Sequence, residues 1–265
     1  MKILRYRRSD GILDYACQTS GGEWFELVGN IFESPTIGRA IAKAIDPVAP
    51  IDPSVIIGIA HNYRRHIQEC GGEIPEWPVF FIKLPGALNH PGMPICLPVS
   101  SHKVDYEGEL AVIIGREGKN IPVEHALDYV FGYTCANDIS ARDWQREWGG
   151  GQFCRGKSFD GFCPLGPVIV TADELQNPQA LDLTTRLNGQ VVQKSSTADM
   201  LFSVAELIAF LSHETTLKAG TVILTGTPSG VGMASKPPRF LQNGDIIEVE
   251  LSEIGTLINT VSSAD

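Results

Sequence analysis

Short apolar runs recur along this chain between Gly, Pro, Asn and Ser turn signals, and residues 203–216 alone carry a clear amphipathic helical pattern. Val204, Leu207, Ile208 and Leu211 repeat there at helical spacing behind Ser203, a natural N-cap. Strands are predicted over 2–7, 12–18, 24–28, 55–60, 78–83, 107–115, 221–225 and within 246–261. Asn188-Gly189 between alternating segments predicts a two-residue hairpin across 183–193. Shorter helical patterns cover 35–45 behind Ser34, 62–70 ended by Gly71-Gly72, and 123–130. Strands that seldom alternate with helices argue against a doubly wound sheet and predict an α+β fold that is mainly β. Prolines at 47, 50 and 53 mark a linker over 46–53. They divide a small N-terminal α/β domain, 1–50, from a catalytic domain, 51–265.

The formal charge of −10 works against binding to nucleic acid or anionic lipid. It leaves room for a local basic pocket that takes a small anion. No apolar run approaches the roughly 18 residues of a membrane helix, and the first residues, Met-Lys-Ile-Leu-Arg-Tyr-Arg-Arg, do not open a signal peptide. Six scattered cysteines with no CxxC pair speak against a thiolate metal site and a disulfide framework, and predict a reduced, cytoplasmic setting.

The segment from Val104 to Gly115 becomes a buried strand from Leu110 on, yet it opens with Glu107 and Glu109. Residues i and i+2 of a strand point the same way, about 7 Å apart. Two carboxylates so placed need a cation or a proton between them, unless they form a solvated strand end. Asp138 ends another apparent strand. It is either a third hard oxygen ligand or the cap of a helix over 139–147. His66 and Glu69, three apart on a helix, make either an oriented proton acceptor or a surface ion pair. Lys157 lies between glycine-rich stretches, where it either stabilises an anionic substrate or is a solvated loop cation. Residues 225–232, Thr-Gly-Thr-Pro-Ser-Gly-Val-Gly, offer backbone donors but lack the ending of a phosphate-binding P-loop.

In order, these stretches resemble the fumarylacetoacetate hydrolase family over residues 55–261. The carriers are Gly58-Ile59-Ala60, Asn62-Tyr63 with His66, Asp105-Tyr106-Glu107-Gly108-Glu109-Leu110, and Asn137-Asp138 with Ser140-Ala141-Arg142-Asp143 and Gln145. Gly156-Lys157-Ser158-Phe159-Asp160, Asn188-Gly189, Thr225-Gly226-Thr227-Pro228 and Gly244-Asp245 complete the series. Phe162-Cys163-Pro164-Leu165-Gly166-Pro167 and Lys236-Pro237-Pro238 suggest its short-chain branch, which is similar to bacterial diketo-acid hydrolases.

The resemblance implies a mixed β-roll behind a small N-terminal domain, usually as a homodimer. It implies that Glu107, Glu109 and Asp138 hold Mg²⁺ or Mn²⁺, though three carboxylates also accept Ca²⁺. His66 and Glu69 resemble the family's water-activating dyad on a lid, Lys157 its catalytic lysine, and Arg142, Gln145 and Thr227 its substrate contacts. The first expectation is therefore hydrolysis of a C–C bond in a small 2,4-dioxo acid, releasing pyruvate and a carboxylic acid. Enol–keto tautomerisation or decarboxylation of an oxaloacetate-like acid on the same site is the alternative. A non-catalytic protein with a structural cation is the reading from another class. Two positions depart from the family pattern: Gly161 stands where threonine is usual, and His61 where the residue is commonly apolar or small.

Overall fold

The computed structural model describes residues 1–41 and 46–263. Its spine is the Gly108–Ile114 strand, buried at every residue. Burial of both faces explains why the run is apolar from Leu110 on. Leu110, Val112 and Ile114 enter one core cluster, with Leu207, Ile208 and Leu211. Ala111 and Ile113 enter a second, with Phe162, Leu165 and Ile169.

The spine pairs antiparallel with Val130–Asn137 on one side and Thr221–Leu224 on the other. Beyond Thr221–Leu224 come Val55–Ala60, in parallel register, and Val79–Lys83 at the edge. Beyond Val130–Asn137 the sheet continues through Cys163–Thr171, Lys2–Arg7, Leu13–Gln18, Trp24–Val28 and Thr36–Ala40. The N-terminal strands thus extend the main sheet. A second sheet orders Gln190–Ser196, Asp182–Leu187, Ile246–Leu251, Gly255–Ser263 and Ile95–Leu97. Leu183, Val249, Leu251 and Leu257 pack it into the first core cluster. The mainly-β α+β architecture is as expected, and so is the hairpin turn at Asn188-Gly189, with both residues at positive φ.

Helices are few: α1 (Arg64–Cys70), α2 (Arg142–Arg146), α3 (Cys154–Lys157) and α4 (Val204–Ser212). Ser203 caps α4 reciprocally with Glu206, and α4 packs on the 3₁₀ turn Val123–Tyr129.

Three readings change. The helix expected over 35–45 is an edge strand, Thr36–Ala40, paired with Trp24–Val28; residues 42–45 lie outside the described residues. Gly38 weakens a helix there, and the segment buries no apolar stripe that would stabilise one. Asp138 is not a helix cap, because α2 begins four residues later behind Ala141. Cys163–Thr171, for which no element was expected, is a central strand despite Pro164, Gly166 and Pro167. Residues 46–53 are packed, with Val48, Ala49 and Ile51 buried and Asp46–Pro47 paired to Lys2–Arg7.

Candidate active site

Strand register brings the acidic residues together. Gly108 sits opposite Asn137 and Glu109 opposite Ala136, so the chain leaving each strand places Glu107 beside Asp138. The Asp138 N–H donates to the Glu107 carbonyl at 2.8 Å, and the Glu107 N–H donates to Asn137 Oδ1 at 3.0 Å. The residue between the glutamates must be glycine. A Cβ on Gly108 would stand 2.2 Å from Thr185 Oγ1 of the second sheet.

Glu107, Glu109 and Asp138 are buried, with one carboxylate oxygen of each within 4.8 Å of the others. A solvated strand end is thereby ruled out. Lys157 Nζ donates to Glu107 Oε2 at 2.7 Å and Asp138 Oδ2 at 2.6 Å. It reaches there because Gly156 lets α3 press against Ala141 and Gln145; a Cβ would meet their backbone at 2.9 and 2.7 Å. Lys83, at the end of its strand, pairs with the other Asp138 oxygen. Arg142 Nη1 lies 2.6 Å from Glu107 Oε1, and its Nε donates to Asp105 Oδ2 at 2.9 Å. Asp105 also accepts the N–H groups of Tyr106, Gly232 and Met233, which ties the loop after residue 230 to the site.

Four buried carboxylates, Asp105, Glu107, Glu109 and Asp138, thus face three buried cations, Lys83, Arg142 and Lys157. Glu109 is the one without an ion pair among the described residues. Its Oε2 accepts only the Gly226 N–H, at 2.7 Å. Burial and the neighbouring Asp138 and Glu107 charges push its carboxyl well above the usual range. Burial would also raise Glu107, but Lys157 and Arg142 hold it well below the ordinary value. Burial opposes the charge on Lys157, yet Asp138 and Glu107 raise its pKa. A surplus carboxylate among hard oxygen donors fits Mg²⁺ or Mn²⁺.

A cavity of about 50 Å³ opens beside this cluster. His61, His66, Phe81, Glu107, Arg142, Gln145, Arg146, Lys157 and Thr227 are among its walls; Glu109 and Asp138 are not. His66 Nδ1 lies 2.9 Å from Glu69 Oε1, and the Gly230 N–H donates to both Glu69 oxygens at 3.0 and 2.9 Å. The dyad is therefore anchored across the cavity's rim rather than being a free surface pair. Burial disfavours a charged His66, but Cys70 Sγ, 3.9 Å away, and Glu69 outweigh it and raise the ring to about 9. Gln145 Oε1 accepts from Arg142 at 3.0 Å. The Thr227 hydroxyl donates to the Gly108 carbonyl at 3.0 Å and accepts from Gln193 at 2.8 Å, so backbone and Gln193 already hold it. Gly161 has φ +74°, a backbone that threonine adopts poorly.

All nine residues singled out from the sequence gather at this one place. Lys83 and Gln193 escaped notice, and Asp105 was noted only as part of a motif, without a role. For Lys83 a signal existed: it shares the strand face of buried Phe81, where a lysine needs a buried partner.

A buried carboxylate cluster, an ammonium and an imidazole–carboxylate dyad thus gather at one small cavity, groups of the kind that move protons in enzyme sites. A profile described as "Fumarylacetoacetate (FAA) hydrolase C-terminal" matches residues 55–262. The chain belongs to the fumarylacetoacetate hydrolase family. Over 218 residues it is 47% identical to the mitochondrial oxaloacetate tautomerase fahd2 of Xenopus laevis, covering 82% of this chain and 68% of that protein. It is 38% identical, with TM-score 0.88 and full coverage of both chains, to the crystal structure of 5-carboxymethyl-2-hydroxymuconate delta-isomerase from Mycobacterium smegmatis. The fumarylacetoacetate hydrolase of Exiguobacterium antarcticum is likewise 38% identical, with TM-score 0.89 and full coverage of both chains. Tautomerase and isomerase relatives weigh toward the second of the sequence readings and away from C–C hydrolysis as the first.

Proposed function

We propose that this protein is a divalent-metal-dependent tautomerase that interconverts the enol and keto forms of a small 2-oxo acid of the oxaloacetate type. The observation that carries this reading is that His66, oriented by Glu69, and Lys157 line the same cavity at the head of the carboxylate cluster. Proton exchange between a carbon and an oxygen needs two such groups and no bound nucleophile. At about 50 Å³ the cavity is small, and it must widen to admit even a short acid. The fahd2 relative carries the name of this activity.

Glu107, Glu109 and Asp138 would hold the ion, which when bound supplies Lewis-acid polarisation of the substrate's oxygens. Glu69 keeps the His66 ring turned to the cavity. His66, charged at neutral pH, gives its proton to C3 of the enol as the C2 hydroxyl gives its own to solvent water, from which the ring is then reprotonated. Lys157 donates a hydrogen bond to the oxygen on C2 while it carries charge. Arg142 is pinned by Asp105 and Glu107 and presents a fixed positive edge to the substrate carboxylate. Atoms balance within one molecule, so product and substrate share a formula.

Mass-resolved product analysis tests the reading, with oxaloacetate and, separately, acetylpyruvate, each in Mg²⁺ and in EDTA. Metal-dependent acceleration of enol–keto exchange in oxaloacetate, with its mass unchanged, is expected. Acetate and pyruvate formed from acetylpyruvate without such exchange would return the assignment to hydrolysis. Loss of CO₂ would make it decarboxylation.

A further inference from the structure

His61 is the one side chain of the cavity whose backbone is strained. Its φ is +56°, in the left-handed region that non-glycine residues adopt at a cost. The strain is held in place by its neighbour. Asn62 donates to the carbonyls of Phe202 and Thr225 at 3.0 and 2.8 Å and accepts the Phe202 N–H at 2.9 Å. That anchor turns the chain as it leaves the Val55–Ala60 strand, and the turn presents the His61 ring to the cavity. The ring lies 6.4 Å from that of His66 in stacked orientation, and 6.4 Å edge-on from that of Phe153. Its Nδ1 is buried with no hydrogen-bond partner.

Arg146 supplies the second observation. Arg142, Gln145 and Arg146 are spaced i, i+3, i+4 on α2, and all three line the cavity. Arg142 at the buried end is held in place by Asp105 and Glu107. Arg146 at the outer end is exposed and makes no ion pair among the described residues, yet its charge bears on His61. The cavity is therefore lined by a guanidinium without an ion pair and by an imidazole without a hydrogen bond among the described residues.

Resting on the 2-oxo acid reading above, we infer that His61 and Arg146 form a distal subsite for a second carboxylate and make the protein selective for short dicarboxylic 2-oxo acids. Arg146 meets the distal carboxylate with its fork of N–H donors, and the His61 ring donates from Nε2, the nitrogen not closed off by the protein, in the tautomer that carries its hydrogen there. The groups at the cluster engage the other end, so the two ends of the substrate are read by different elements. An acyl tail would leave both distal groups unpaired, which disfavours acylpyruvates.

L-Malate and L-lactate differ by that carboxylate alone and undergo no keto–enol exchange, so they report binding without turnover. Their affinities for the Mg²⁺-supplied protein are to be measured by calorimetry for the wild type, Arg146→Gln and His61→Asn. Asparagine tolerates the left-handed backbone, and position 146 is exposed, so both variants should fold. The wild type should bind malate at least roughly tenfold more tightly than lactate, and each substitution should erase much of that ratio while leaving lactate affinity in place. No preference for malate in the wild type, or a ratio unchanged in both variants, overturns the subsite. Preference for malate in a protein that fails to accelerate oxaloacetate exchange would leave the subsite standing and remove the tautomerase reading instead.

Discussion

Replacing Glu109 with glutamine should stabilise the metal-free protein while abolishing its response to metal, which is an unusual pair of signs for a buried site residue. Two like charges within 4.8 Å repel by about 3.5 kcal/mol at an effective dielectric near 20. Glu107 and Asp138 both act on Glu109 in this way, burial adds to the cost of its charge, and Lys157 offsets only part of it. Protonation of Glu109 relieves part of what is left, so glutamine should gain about 1–3 kcal/mol. Its carbonyl oxygen can still accept the Gly226 N–H, so the backbone contact survives. For a chain of this length the gain corresponds to a melting temperature higher by about 2–6 °C in EDTA. With Mg²⁺ at a hundred times its dissociation constant the wild type should gain about 2.7 kcal/mol, and Glu109→Gln should gain almost nothing. Calorimetric melting of both proteins in EDTA and in Mg²⁺ decides the matter. A Glu109→Gln protein that melts below the wild type in EDTA, or that rises with Mg²⁺ as the wild type does, refutes the reasoning.

Lys157→Met should cost about 3–5 kcal/mol of stability, because it leaves Glu107 and Asp138 buried with one counter-charge fewer; urea unfolding reads this directly. His66→Gln should lower enol–keto exchange by roughly 10²–10⁴-fold while substrate still binds, as steady-state kinetics with a separate binding assay will show. The His66 ring, raised from 6.5 to about 9, contributes stability that is fully present below pH 6.5 and is lost as pH rises through about 9. Unfolding free energies between pH 6 and 10 should therefore fall more steeply for the wild type than for His66→Gln.

Much of this was legible in the sequence, for reasons that particular residues make plain. Glu107 and Glu109 stand out because charge at the head of an apolar strand conflicts with burial, and the structure meets that conflict with lysines and an arginine. Asn188-Gly189 declares its hairpin because both residues accept positive φ. Strand 163–171 stayed hidden because Pro164, Gly166 and Pro167 break the local pattern, while its pairing partners lie far off in sequence. The helix expected over 35–45 failed for the same reason, since partnership with Trp24–Val28 decides that segment. The cluster's counter-charges were the least visible part. Lys83 meets Asp138 across 55 positions, and no short-range pattern encodes such a meeting.

Lys157 has a consequence for the protein's life in the cell. Because its ammonium bridges Glu107 and Asp138, the acidic cluster carries a built-in counter-ion. Structural zinc domains gather their charge around a metal that must arrive before they can fold; on the metal-dependent function proposed above, this chain would complete folding first and load its ion afterwards. Ion supply would then act as a throttle on turnover rather than as a condition for survival. A cell short of the metal would hold an intact, idle reserve of the protein, ready to resume work as soon as the ion returns.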